Sequence, residues 1–474
     1  MNEQKKPSVT RGGILIAICS IFLLAGILFF VKEPVDITGW ILIVFYVYGI
    51  WIVARRNAGR VYPFAIFLLY CFVSNAGQTL THLSGIENTV LVDIYAAYSS
   101  ELINRMLILQ GVFVLCMILG YLLLRRMRAE TPEVLRVTQT VKPGTVILDD
   151  LILWVLAVYV AVIYAQELSQ RVDMDYGEYY YETREGLGTV AQYLYHVVVF
   201  AYLFKHPGWR RKMAFGIVLV LAGMAVLIGA RSATIPVIVG VCFILSYRSE
   251  KKFKLRLWHV VAGVLILMIY SAFAELRKLP ISELSFSLIM QSIFVSPLES
   301  LANILQEMGT SARTTLTTMQ ALDCGVVQQE GTILYSLLKG IFPLQLLNLV
   351  GIQPPAIESL SAWVSDYGSG LYVEGKGWGY SFIGEIIYNF GNWGFIFSFF
   401  FGAAIALLEN GIEKLLKNKD YYLGAGVLYV LGYGVFLARA ETTLLSTRIR
   451  YTVYMAVLLF LVKLFLKKRS VNSQ

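Results

Sequence analysis

The sequence predicts an all-α polytopic membrane protein with about 12 transmembrane helices. Three observations predict this. Hydrophobic residues fill 57% of the 474 positions and charged residues only 15%, with a mean hydropathy of +0.65. The apolar residues come in continuous runs of span length, which suit helices of about 20 residues and not the short alternating strands of a membrane β-barrel. The basic residues gather in short segments between alternate runs, as orientation signals do. The net charge of +9 is therefore spread along a membrane surface and does not read as a nucleic-acid patch.

In chain order, Lys5, Lys6 and Arg11 precede the first run, Ile14–Val31. No convincing small-residue cleavage site follows, so it is read as an uncleaved helix. Trp40–Ala54, about Val61–Leu80 and Met106–Leu124 come next; Arg55, Arg56 and Arg60 close the second run, and Arg125, Arg126 and Arg128 the fourth. Leu151–Gln166 is the fifth and Thr189–Phe204 the sixth. Between them lies an acidic, tyrosine-rich stretch, Glu167–Gly188, whose Asp173-Met174-Asp175 pattern is too short to specify chemistry and is read as part of a solvated loop. Met213–Tyr247 exceeds one span. Arg231 in its middle points to two helices joined by a tight turn at Ala230-Arg231-Ser232, with Ser232 as N-cap and Pro236 early in the second helix. Leu257–Ala274 is the ninth run.

The polar stretch Glu275–Gly379 follows. It contains an amphipathic segment, Ile333–Leu349, that either lies on the membrane or packs within the stretch. The tenth span ends near Leu408, the eleventh covers about Tyr421–Ala438, and the twelfth covers Tyr451–Leu466. The organisation is thus residues 1–274 with spans one to nine, 275–379 as one large loop with short amphipathic helices, and 380–474 with spans ten to twelve. With the N-terminus inside, every short inner loop is basic. Both termini are then cytoplasmic and the large loop faces outward.

The most distinctive stretch is Gly375–Gly394, GKGWGYSFIGEIIYNFGNWG. In a helix from Ser381 onward, steps of about 100° per residue bring Ser381, Glu385, Tyr388 and Asn392 within about 60° of one another. A polar stripe on a membrane-competent element usually faces a functional interior. Glu385 at the membrane surface, as an ordinary solvated carboxylate, is the other reading. Positive charge is scarce on the outer side, which draws attention to Arg231, Arg277, Arg439, Arg448 and Arg450. Arg231 opens a predicted helix, where free N–H groups favour an anion, and the arginine fork suits phosphate. Together these arginines are candidates to bracket a diphosphate; the alternative is that they reach lipid headgroups.

What is missing narrows the field. No Walker A, H-E-x-x-H or G-x-S-x-G motif occurs. His82, His196, His206 and His259 have no ligand spacing, and the five cysteines form neither a CxxC nor a Cys/His cluster. No metal site and no cofactor are expected.

The pattern G-x-S-x-x-x-E-x-x-x-N-x-G-x-x-G, here Gly379, Ser381, Glu385, Asn389, Gly391 and Gly394, resembles that of the bacterial oligosaccharide repeat unit polymerases, the Wzy-type O-antigen and capsule polymerases. The outward Gly-Ala-Arg-Ser turn, Gly229–Ser232, and the late outer loop resemble them too. The resemblance implies a nucleotide-independent glycosyltransferase in the bacterial cytoplasmic membrane. It would transfer a growing chain from undecaprenyl diphosphate to a sugar hydroxyl of the next lipid-linked unit, at the outer face. Partners would be undecaprenyl-diphosphate-linked oligosaccharide and the lipid bilayer, with a chain-length regulator and a flippase alongside, and no nucleic acid. Glu385 is then the candidate base, or the group that holds an arginine. Arg231, Arg277, Arg439 and Arg448 would bind diphosphate, and Ser381, Tyr388 and Asn389 would position sugar. The alternatives are a flippase or exporter of lipid-linked oligosaccharide, an O-antigen ligase, whose family uses a histidine that Glu275–Gly379 lacks, and a scaffold for a polysaccharide complex.

Overall fold

The computed structural model describes residues 35–57, 62–87, 93–125, 143–170, 172, 188–228, 231–248, short pieces between 281 and 291, 297–369 and 379–472. The described residues are helical and contain no strand. The long helices are α1 (Val35–Arg56), α2 (Pro63–Leu83), α3 (Ser100–Leu124), α4 (Pro143–Gln170), α5 (Gly188–Lys205), α6 (Gly208–Ile228) and α7 (Arg231–Arg248). Then come α8 (Pro297–Gly309), α9 (Ser311–Asp323), α10 (Thr332–Ile341), α11 (Leu344–Leu349), α12 (Leu360–Ser369), α13 (Phe382–Phe390), α14 (Gly394–Lys417), α15 (Tyr421–Phe436) and α16 (Thr443–Asn472). Among the described residues, eight stretches are long and apolar enough to cross a membrane: α1, α2, α3, most of α4, α6, α13 with α14, α15 with its last turn, and the first part of α16. The predicted sixth and eighth runs are helices α5 and α7. The first and ninth, Ile14–Val31 and Leu257–Ala274, lie outside the described residues. The chain is a polytopic, all-helical membrane protein.

Local chemistry sets several of the boundaries. Tyr62 is extended and Pro63 occupies the first turn, so α2 starts where the missing proline N–H costs nothing. Ser99 caps α3, its Oγ accepting from the Leu102 N–H at 3.3 Å. The overlong run of residues 213–247 is divided in two, with α6 ending at Ile228, but α7 opens already on Arg231, so Arg231 and Ser232 are helical and Ser232 is not the expected N-cap. Pro236 lies in the second turn of α7.

Close packing in the centre depends on residues that lack side chains. A Cβ on Gly402 would sit 1.9 Å from the Met117 carbonyl oxygen, and one on Gly120 2.0 Å from that of Phe399. The backbones of α3 and α14 therefore touch, the usual means by which helices associate in a bilayer.

The tenth span is not one helix. Gly391 takes φ +54°, a conformation open to glycine, and the chain breaks into α13 and α14 through a single 3₁₀ turn, Gly391–Trp393. Asn392 is therefore off the helix. Residues 297–369 pack into the bundle. A Cβ on Gly77 of α2 would lie 2.1 Å from the Leu305 carbonyl oxygen of α8, and α9 buries Ser311, Thr314, Thr315, Thr317 and Thr318. Hydroxyls bonded to carbonyls one turn back, such as Thr318 Oγ1 to Thr314 O at 2.8 Å, let this polar helix sit inside the bundle.

Candidate functional site

The motif helix α13 is nearly all buried, and its polar side chains each hold a different neighbour. Ser381 caps α13 and donates from Oγ to Asn75 Oδ1 at 2.5 Å. Asn75, buried in α2, donates in turn to the Ala438 carbonyl at 3.2 Å. Glu385 is wholly enclosed; Oε2 accepts from the Thr442 N–H at 2.8 Å and Oε1 from the Thr442 hydroxyl at 2.6 Å. Thr442 immediately precedes α16, so this carboxylate satisfies a free N–H at the start of the last span. Asn389 Oδ1 accepts from the Ile333 N–H at 3.1 Å, and its amide donates to Thr332 Oγ1 at 2.8 Å, which caps α10 from outside. It also bonds the Glu385 carbonyl at 2.7 Å.

Glu441 does the same for the loop. It accepts from the Leu360 and Ser361 N–H groups at 2.6 and 3.3 Å and from the Ser359 and Ser361 hydroxyls. These bonds fix the start of α12. The apolar side of α12, Leu360 and Val364, packs against Tyr380 and Tyr388. Tyr380 donates or accepts with Thr318 Oγ1 at 2.7 Å, and burial holds its phenol well above the ordinary range, in the neutral form. The phenol oxygen of Tyr388 is buried and has no hydrogen-bond partner among the described residues.

The arginines at this end are placed differently. Arg439 ends the last turn after α15 and is half-buried. It lies against Gly379, whose φ is +73°; a Cβ there would be 3.4 Å from the Arg439 carbonyl and 4.0 Å from its Nε. Arg448 stacks its guanidinium 4.5 Å from the Tyr433 ring centre and donates to the Leu444 carbonyl. Arg450 turns to α10 and donates to the Lys339 carbonyl at 2.7 Å. Among the described residues none of these three has a carboxylate partner. No ion pair joins Glu385 to an arginine among the described residues. Arg231 stands at the first position of α7, and Arg277 lies outside the described residues, as do Asp173 and Asp175.

At the opposite end the charges are paired. Arg125, 2% exposed, donates from Nη2 to Glu413 at 2.7 Å, lies 3.6 Å from Glu409, and bonds Asn57 and Asn410. Glu409 also accepts from the Tyr121 hydroxyl and the Phe64 N–H. Asp149 accepts from Lys205 and His206, and Asp150 from Tyr202 and Arg210. These bonds join the end of α3 to that of α14, the end of α14 to the start of α2, and the start of α4 to the end of α5 and the start of α6.

Comparison with protein families matches residues 14–472 to the O-antigen polysaccharide polymerase Wzy. The chain belongs to that family. No curated protein and no solved structure gives a match. Membership of the Wzy family covers nearly the whole chain and makes it a polysaccharide polymerase by family. Among the described residues no group of three or more His, Cys, Asp or Glu side chains is arranged to hold a metal ion.

Sequence reading put Ser381, Glu385, Tyr388 and Asn392 on one stripe; Glu385 and Tyr388 lie on α13 with Ser381 as its cap, and Asn392 lies in the 3₁₀ turn beyond it. Sequence reading missed Asn75, Glu441 and Thr442, which those residues or their neighbours bind. It also missed the Arg125–Glu409 pair, although an ionisable residue inside an apolar run was a readable signal.

Proposed function

We propose that the protein polymerises undecaprenyl-diphosphate-linked oligosaccharide repeat units at the outer face of the bacterial cytoplasmic membrane, with the motif end of the bundle facing outward and about twelve spans in all. In this reaction the bond between the anomeric carbon of the growing chain and its diphosphate breaks. A hydroxyl of the next lipid-linked unit forms the new glycosidic bond and gives up its proton, and undecaprenyl diphosphate leaves. The leaving group drives the step, so neither nucleotide nor metal is needed.

One observation carries the reading: Glu385 and Glu441 are occupied by helix N-termini, so they do not cancel the charge of the arginines beside them. A departing diphosphate needs preorganised positive charge. Arg439, next to Gly379 of the motif, is the first candidate. Arg448 is the second, and Arg231 and Arg277 complete the proposed set. The free phenol of Tyr388 suits a sugar hydroxyl. Glu385 acts through position: with both oxygens held by Thr442, it sets the turn that carries Arg439, and it serves as a base only if Thr442 gives way. Ser381 and Asn389 support the same helix. A chain-length regulator and a flippase are the expected partners of such a polymerase.

The test is a purified protein given lipid-linked oligosaccharide from its own host and no nucleotide. A ladder of products is expected, lost in Arg439→Ala and in Arg231→Ala. A folded wild type that binds the lipid and makes no ladder would point to transport. Normal elongation by Glu385→Gln would remove that residue from both roles.

A further inference from the structure

The α10–α11 corner of the large loop shows apolar side chains on its outside. Ile341, Phe342, Leu344, Leu346, Leu349 and Val350 are all exposed, Leu349 to 82% and Val350 to 62%. A contiguous patch of this kind is unusual on a water-facing surface and marks a contact. What covers it follows from how α10 is held. Ser446 Oγ donates to the Ser336 carbonyl at 2.6 Å, and Arg450 donates to the Lys339 carbonyl at 2.7 Å. The C-terminal half of α10 is thus tied to residues 446–450 of α16. Gly340 makes this possible: a Cβ there would lie 3.0 Å from the Ser446 carbonyl and 3.1 Å from Ile449 Cβ.

Residues 446–450 belong to a stretch of α16 long and apolar enough to span the membrane, Thr443–Leu461. The C-terminal half of α10 therefore lies against the start of a span. The exposed corner follows directly on this contact, and α16 itself exposes Tyr454, Val457 and Leu458 further along the same span. Gln345 and Asn348 are exposed among the apolar residues, which suits the headgroup boundary and not the centre of the bilayer.

We infer that residues 341–350 dip into the lipid leaflet at the motif end, so that the large loop is seated in the bilayer at this corner. The partner is the acyl-chain boundary of the membrane, reached as a continuation of the lipid-facing side of α16. This seating does not depend on the polymerase reading. It would fix the height of the loop over the motif arginines.

Spin labels on single cysteines test it in the full chain, with the native cysteines replaced and the protein reconstituted in bilayers. Labels at Leu346 and Leu349 are expected to relax more with dissolved oxygen than with a water-soluble nickel chelate, as at Tyr454 and opposite to the exposed Gln328. Stronger relaxation by nickel would overturn the proposal, and so would shielding from both agents, which would mean a protein cover. Photolabelling of the unaltered protein by a phospholipid carrying a diazirine in its acyl chain provides a check free of mutation. Labelled peptides from 341–350 are expected; labelled α16 with an unlabelled corner sinks the inference.

Discussion

The two ends of the bundle use the same residue types for opposite purposes. At one end Arg125 is enclosed by Glu409, Glu413, Asn57 and Asn410, and Lys205 and Arg210 reach Asp149 and Asp150. At the other, Glu385 and Glu441 turn to backbone N–H groups, Arg448 turns to a ring and a carbonyl, Arg450 turns to a carbonyl, and Arg439 lies against Gly379. A buried charge must be compensated, and either an opposite charge or a set of aligned N–H dipoles will serve. Using helix N-termini for the carboxylates leaves positive charge uncancelled at the motif end. The difference teaches that net charge along the chain says little about where charge is available. Pairing decides it.

The largest effect is expected at the paired end. Glu409→Ala leaves Arg125 with one carboxylate and should lower stability by about 3–5 kcal/mol, seen as a loss of folded protein on thermal unfolding in detergent. Adding Arg125→Met to that variant should recover much of the loss, because the uncompensated charge is gone; no recovery would mean that the pair is not the fold's main tie at this end. Next is Arg439→Ala, where elongation should fall roughly 10²–10³-fold with little change in the melting point. An equal loss of stability and rate would make Arg439 structural and erase the contrast between the ends.

Thr442→Val removes one of the two donors to the Glu385 side chain. An unsatisfied buried carboxylate oxygen should cost about 1–3 kcal/mol, with elongation reduced through displacement of Arg439 and no change in which lipid is bound. The smallest effect belongs to Arg105→Ala. Its ion pair with Asp323 is exposed on both sides, 45% and 47%, and its loss should move stability by about 0.2–1 kcal/mol, less at high salt. A larger shift would show that charge pairing matters at the motif end as well.

Much of this could be read in the chain beforehand. The division into one helix ending at Ile228 and another beginning at Arg231 follows from a run too long for one span with an arginine at its centre. The grouping of Ser381, Glu385 and Tyr388 follows from the helical repeat. The break at Gly391 did not follow, because glycine within an apolar run is as compatible with close helix packing, as at Gly402, as with a positive φ; only the neighbours choose. The inward packing of the loop was hidden for a related reason. α9, with four threonines, reads as a solvated helix, yet its hydroxyls are satisfied within the helix itself and leave it free to be buried.

The sequence by itself determined the class of the protein, the division into apolar runs and the stripe on which the motif lies, because hydropathy and helical period are properties of neighbours along the chain. Only the tertiary structure decided what the stripe touches. Glu385 and Thr442 are 57 residues apart and Ser381 and Asn75 306, and nothing local encodes which donor a buried carboxylate will meet. That meeting separates a carboxylate that cancels an arginine from one that leaves it charged.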